Sequence, residues 1–368
     1  MSKSDKLAVS FTVILAVAVA VGVFFFYPKK TTAPSSLQPI VQPSDPHAPI
    51  ITDTTIFFGG DIMLSRNVDA KMNAASDFTL PFKNIADVTQ KADIAFANLE
   101  SPFNDTGRHF IDGSLVFNAD PKAIDGLKLA GFDILSTANN HALDQGTKGI
   151  DITTDLLFKN NIIPTGTKST TLNPILPVIK KNNISFDFLS YSYTALNDGG
   201  KSTSPYVNNF NDLKKLKQDI VDLKGHNADV VIVNMHAGTE YTRNPSAAQI
   251  AFAHAAIDAG ADLVVGEHPH WIQTIEKYND KWIFYSLGNL VFDQMWSTDT
   301  REGLTLLVTY EHTHLPDPTN NTAGEDKLEI KKVELKPVVI DNFCCPRWAD
   351  NDETKSILQK IDLTSPSL

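Results

Sequence analysis

Residues 258–294 read DAGADLVVGEHPHWIQTIEKYNDKWIFYSLGNLVFDQ, and the order of residue types in this stretch decides the fold class. Gly260 closes a segment of helical spacing, residues 262–265 are a short apolar run, and Gly-Glu-His-Pro-His follows at once. A second apolar run at 282–287 comes next. Helix, buried strand, polar strand end and further strand make the βαβ pattern of an α/β protein with a largely parallel sheet. Working outward, residues 54–59, 93–97, 133–137 and 229–235 repeat the apolar run, with helical segments between them. Residues 121–131 place Pro near the start and Gly at the end, the asymmetry expected of helix termini. Residues 246–260 repeat that form, with Ile250, Phe252, Ala253, Ala256 and Ile257 as the stripe that packs on the sheet. Further on, 303–310 and 328–340 read as antiparallel strands around a hydrophilic loop.

Ligand-capable residues stand directly after these runs. Asp61 follows the first, Asn98 and Glu100 the second, Asn139, Asn140 and His141 the third, His236 the fourth, and Glu267, His268 and His270 the fifth. Loops at the carboxyl ends of parallel strands converge on one edge, which is where sites form. Singly, each residue has an ordinary explanation: a helix cap for Asp61, a surface charge for Glu100, a hydrogen-bonded core histidine for His236. Their recurrence at successive strand ends favours one shared site. Mixed oxygen and nitrogen donors suit Mn, Fe or Zn better than Ca or Mg. Two such ions, bridged by a carboxylate and a hydroxide, would supply a nucleophile at neutral pH and stabilise a developing oxyanion. His312-Thr313-His314 has the same His-x-His spacing, but it stands in a stretch rich in Pro, Asn, Thr, Asp and Glu and is expected on a surface loop.

The 368 residues are 42% hydrophobic, enough to fill a substantial core. A net charge of −11 argues against a general nucleic-acid or anionic-membrane binder, since a polyanion is repelled at long range unless a local basic patch or bound metal intervenes. The only cysteines, Cys344 and Cys345, are adjacent, a spacing that makes the usual disulfide geometry hard to reach. Two incidental thiols are expected, with a vicinal disulfide as the alternative.

Residues 7–27, LAVSFTVILAVAVAVGVFFFY, are uncharged and about as long as a helix needs to cross roughly 30 Å of hydrocarbon. Lys3 and Lys6 precede the run and Lys29 and Lys30 follow it, so charge alone orients it weakly. A six-residue N-terminal tail before a single span stays inside, which places the rest of the chain outside the cytoplasm. Phe24, Phe25, Phe26 and Tyr27 end the run where a cleaved signal peptide would carry small residues, so a signal anchor is expected. Residues 28–50 are rich in Pro, Ser, Thr and Gln and form a spacer. The folded domain is expected over 51–345, followed by a C-terminal tail over 346–368.

The blocks GGDIMLSRNV (59–68), ANLESPF (97–103), STANNHALDQG (136–146), MHAGTEY (235–241) and the stretch quoted above closely resemble the CapA family of capsule or poly-γ-glutamate synthesis proteins. That resemblance implies calcineurin-like, metallophosphoesterase-type layered sheets flanked by helices, preceded by one transmembrane helix. It further implies that Asp61 and Glu100 are metal-binding carboxylates, with Glu100 the natural bridge. Asn140, His236 and His268 would serve one divalent ion, and His270 would join Asp61 and Glu100 at the other. His141 would be the acid or oxyanion stabiliser, its ring oriented by Asp144. Glu240, Arg243 and Asn289 would line the cleft, with Arg243 the preferred anion contact. Met63 stands where catalytic metallophosphoesterases carry a ligating His, which weakens one metal site. Glu267 replaces the first His of the usual Gly-His-His-Pro-His run and could add an oxygen ligand or face solvent.

Two functions follow as expectations. The first is a bacterial, single-pass membrane protein with an extracytoplasmic domain, acting with other polymer-synthesis membrane subunits to make or export an anionic capsular polymer such as poly-γ-glutamate. The second is a metal-dependent hydrolase acting on a phosphoester or on the polymer itself.

Overall fold

Alternation along the first strand shows why the domain has layers. In β1 (Ile50–Ile62), Ile56 and Phe58 point into one apolar core while Phe57 points into another. The same period of two recurs in β2 (Ile94–Leu99), where Ile94 and Phe96 face one core and Ala95 and Ala97 the other. Strands buried on both faces read as continuous apolar runs, as these did. The computed structural model describes residues 48–109, 115–173, 177–193, 204–317 and 320–361.

The remaining strands are β3 (Ile134–Ser136), β4 (Ile163–Thr165), β5 (Val178–Lys181), β6 (Ile184–Ser192), β7 (Val230–His236), β8 (Leu263–Glu267), β9 (Ile275–Tyr278), β10 (Lys281–Phe284), β11 (Asn289–Val291), β12 (Glu302–Asp317), β13 (Asn320–Asp341) and β14 (Cys345–Trp348). They form two sheets. One runs β14-β13-β12-β1-β2-β3-β4, with β11 also paired to β1; the other runs β5-β6-β7-β8-β10-β9. Ile56, Phe58, Phe96, Phe186, Phe188, Ile232 and Val265 fill the space between them. The helices α1 (Arg66–Ala75), α2 (Ala86–Thr89), α3 (Ile124–Ala130), α4 (Gly146–Lys159), α5 (Leu213–Gly225), α6 (Ala247–Ala259), α7 (Thr298–Arg301) and α8 (Asn351–Gln359), with two 3-10 turns at Leu80–Phe82 and Pro121–Ala123, complete the described elements. Val68, Met72 and Leu127 of α1 and α3 share the outer core of the first sheet with Phe57, and Phe252 and Ala256 of α6 share that of the second with Val231 and Val233. The protein is thus a mixed α/β fold of two sheets flanked by helices.

Helix ends follow the sequence closely. Ser246 caps α6 in a capping box with Gln249, and Gly260 ends it in the left-handed region. Three expectations change. The His312-Thr313-His314 segment is not a loop but part of β12, because β12 and β13 continue as one long hairpin paired from Glu302↔Val339 out to Asp317↔Asn320. The segment beyond 345 is no free tail: it supplies β14 and α8, and Ile357 and Ile361 are buried between the sheets. Cys344 and Cys345 are joined as a vicinal disulfide rather than free, at a turn where Asn342 and Phe343 take positive φ. The second sheet, including β5 and β6, was not separated from the first by sequence patterning alone. Among the described residues no helix is long and apolar enough to cross a membrane, and the apolar run at 7–27 lies outside them.

Candidate metal centre

The parallel strands β1, β2, β7 and β8 end together, and their ends carry the predicted cluster. Asp61 is the register partner of Asn98 on one side and of Asn289 on the other. The approach of β11 depends on a glycine: a Cβ on Gly60 would lie 1.9 Å from the Gly288 carbonyl oxygen. With no side chain there, Asp61 N–H donates to that oxygen at 3.0 Å, which locks β11 beside the site.

The donor atoms fall into two overlapping groups. Glu100, His236 and His268 offer ligand atoms within 4.8 Å of one another, and so do Asp61, Glu100 and His270. Glu100 belongs to both. Around His236 Nε2 stand Asn140 Oδ1 at 2.8 Å, His268 Nδ1 at 3.2 Å and Glu100 Oε1 at 3.8 Å. Four donors at about 2.1 Å from a common tetrahedral centre would be spaced by about 3.4 Å, so this grouping has the dimensions of a cation shell. In the second group His270 Nδ1 lies 3.5 Å from Asp61 Oδ2.

Burial makes the same point electrostatically. Glu100 is fully buried, and neither carboxylate oxygen has a hydrogen-bond partner. Burial first, and then the charge of Asp61, push its carboxyl well above the usual range. An orphaned buried carboxylate is costly unless a cation meets it. Burial also holds His236 and His268 well below the ordinary histidine range, so both rings are neutral, the ligating form. The residues present therefore fit a pair of divalent cations with Glu100 between them.

A supporting layer holds these groups in place. Asn98 Nδ2 donates to Asp61 Oδ1 at 2.7 Å and lies 3.1 Å from His236 Nδ1, while its own oxygen accepts from Asn139. Asn98 and Asn139, ligand-capable at their strand ends, thus support the predicted ligands rather than join either group. Asn289 is buried; its amide donates to Thr300 O, and its oxygen meets His270 Nδ1 at 2.9 Å. It thus holds His270 at the same ring nitrogen that lies nearest Asp61. His268 and His270 both adopt positive φ, +98° and +58°, a strained conformation that the surrounding bonds maintain.

His141 sits at the edge of the cluster, its Nε2 3.8 Å from Glu100 Oε1 and its Nδ1 2.7 Å from Asp144 Oδ2. Phe117 stacks on its ring at 3.8 Å, and the Arg66 guanidinium lies over Phe117 while bonding Asp293. Arg66 is a cation beside the centre that sequence reasoning passed over, although it lies in the first quoted block. Tyr193 packs edge-on to His268, and Tyr241, under Trp296, faces His270.

The other predicted residues lie further out. Glu240 is exposed next to Tyr241. The Arg243 guanidinium is bonded to Asp299 and Ile272 O and lies over Trp271, so its charge is already engaged. Glu267 is neither at solvent nor in a ligand group: it is buried with Oε2 accepting from Asn234 at 2.6 Å. Met63 is also buried, its sulfur accepting from Ser65, in the outer core of the first sheet.

Residues 55–294 match the model of the bacterial capsule synthesis protein family PGA_cap. The capsule biosynthesis protein CapA of Bacillus anthracis is 34% identical over 317 residues, covering 83% of this chain and 74% of the relative. The chain belongs to the PGA_cap family. The PGA biosynthesis protein CapA of Bacillus subtilis strain 168 is 33% identical over 290 residues, 78% of this chain and 74% of that protein. Among solved structures, a putative 5'-nucleotidase from Staphylococcus aureus aligns over 84% of this chain and 58% of its own, at 14% identity and a TM-score of 0.46, too loose to argue from. The PGA_cap match spans Asp61, Glu100, His236, His268 and His270, so the cluster lies wholly within the family region.

Proposed function

We propose that this PGA_cap protein is tethered to the cell membrane by residues 7–27, holds its two-sheet domain outside the cytoplasm, and acts in synthesis or export of an anionic capsular polymer such as poly-γ-glutamate. Family membership carries this reading: relatives at 33–34% identity are named for capsule and PGA biosynthesis. The orphaned carboxylate of Glu100, flanked by neutral histidines, supports a divalent metal centre of calcineurin-like, metallophosphoesterase type holding Mn, Fe or Zn. Asp61, Glu100 and His270 would hold one ion and Glu100, Asn140, His236 and His268 the other. When bound, these ions would supply a local positive field for carboxylates and a nucleophile at neutral pH. Partner membrane subunits that polymerise the chain belong to the same proposal.

The test is surface polymer in the source organism with Asp61→Asn or His268→Ala replacing the wild-type protein. Loss of polymer at normal protein level supports the reading, and undiminished polymer sinks it.

A second reading, a metal-dependent hydrolase of phosphoesters or of the polymer, is favoured by one observation. His141, braced by Asp144, presents Nε2 to Glu100, the carboxylate that would lie between the two ions, where a proton donor to a leaving group belongs. Turnover of a phosphodiester probe that His141→Ala abolishes would establish it.

A further inference from the structure

Arg66 opens α1 with φ at +52°, in the left-handed region that a residue with a side chain seldom adopts, and its N–H donates to His109 O at 3.0 Å. Its side chain is only 12% exposed. The guanidinium is bonded to Asp293, which also accepts from the Asn67 N–H at 3.2 Å and from Asn67 Nδ2 at 3.1 Å. From there it covers two buried rings, with its central carbon 4.8 Å from the centre of Phe117 and 5.6 Å from that of Phe292.

These rings lead to different parts of the site. Phe117 stacks on His141 at 3.8 Å and 22°, while Phe292 packs on His270 at 4.8 Å and 60°. They also meet each other edge-on, 6.1 Å apart. One cation therefore lies over both rings that back the proton-donor candidate and a member of the group Asp61, Glu100 and His270. An apolar side chain could fill the same space, and desolvation of a buried ion pair offsets much of its attraction, so stability alone does not account for an arginine here. What the guanidinium adds is direction. Being planar, it bonds Asp293 along its edge while its faces cover aromatic rings, a combination that an ammonium lacks.

We propose that Arg66 is a positioning residue: pinned by Asp293, it clamps Phe117 and Phe292 and so sets His141 and His270 relative to each other. Its functional meaning rests on the metal-centre reading above, whereas its test rests on the ring contacts themselves. Without the clamp every ligand is still present, but the two rings, and the imidazoles packed on them, are free to turn.

The test is NMR of the histidine rings in the full-length, metal-free chain in detergent, comparing wild type with Arg66→Met and Arg66→Lys. An aromatic ring shifts the signals of protons held over it, so His141 and His270 report on Phe117 and Phe292. In Arg66→Met the ring signals of His141 and His270 shift or broaden, while those of His236, which packs on His268, and of His254, which stacks on Tyr278, stay in place. Arg66→Lys keeps the charge but not the plane, and changes the same two. Unchanged His141 and His270 signals in either variant, or equal shifts at all four histidines, overturn the proposal. Zn²⁺ titration of the same samples separates this from the reading beneath it: Arg66→Met weakens one of two sites by about 10-fold, the low end for residues that support metal ligands. No Zn²⁺ uptake by wild type would sink the metal centre and leave the clamp standing on the NMR result.

Discussion

His141 Nδ1 lies 2.7 Å from Asp144 Oδ2, and this contact aims the opposite ring nitrogen at Glu100. Asp144 also accepts the Phe117 N–H, so the carboxylate fixes both His141 and the aromatic ring stacked on it. If the domain is hydrolytic, His141→Ala lowers kcat by about 10²–10⁴ with metal content unchanged, the usual range for a lost general acid. Asp144→Asn gives a smaller loss, because the His141 ring remains but its bracing carboxylate is gone. Steady-state rates and elemental analysis on the same samples check both.

The Asn289 side chain bonds His270 Nδ1, Gln294 Oε1 and Thr300 O. Asn289→Ala therefore loosens the ion shared by Asp61 and His270 while leaving the other site intact. A drop in affinity of about 10–100-fold at one of two sites is expected, as for other supporting residues of metal ligands. Competition titration with a chelating dye reads it out, and equal weakening of both sites would contradict the assignment.

The C-terminal helix α8 tests the domain boundary. Ile357 is buried between the sheets, so Ile357→Ala costs about 2–5 kcal/mol, the range for large-to-small changes in a core. Denaturant unfolding measures it. A loss under 0.5 kcal/mol, the scale of a neutral surface change, would mean that α8 is peripheral.

Asp262 ties the base of the second sheet together, accepting from Lys224, Lys281 and the Val231 N–H. Burial alone would raise its pKa, but these bonds outweigh burial and lower it. A carboxyl depressed by folding adds stability above its unfolded pKa, near 3.8, and that stability is lost as pH falls further. Asp262→Asn therefore destabilises the protein by about 1–3 kcal/mol at neutral pH and flattens the acid limb of its stability curve. Thermal melts between neutral pH and pH 3 compare the two proteins.

Much of the fold was legible because β1, β2, β7 and β8 are buried on both faces and so read as unbroken apolar runs. The ligands were legible because each comes within a few residues of such a run. The two-sheet division was not, since Ile232 facing the other sheet and Val233 facing a helix are the same kind of residue in sequence. The long hairpin was misread at His312-Thr313-His314 because its polar, Pro-containing composition is that of a loop, while pairing between β12 and β13 decides the structure. Asn289 reads in the sequence as a cleft residue; its register beside Asp61 and its bond to His270 reveal a supporting position. Arg243 looked like a free cation because Asp299, which engages it, lies 56 residues away.

The central claim is that Glu100 bridges two divalent cations. Elemental analysis of chelator-free protein, wild type beside Glu100→Gln, tests it most directly. The account predicts Mn, Fe or Zn near two equivalents in wild type and loss from both sites in the variant. Full metal content in Glu100→Gln, or no metal in wild type, would contradict it.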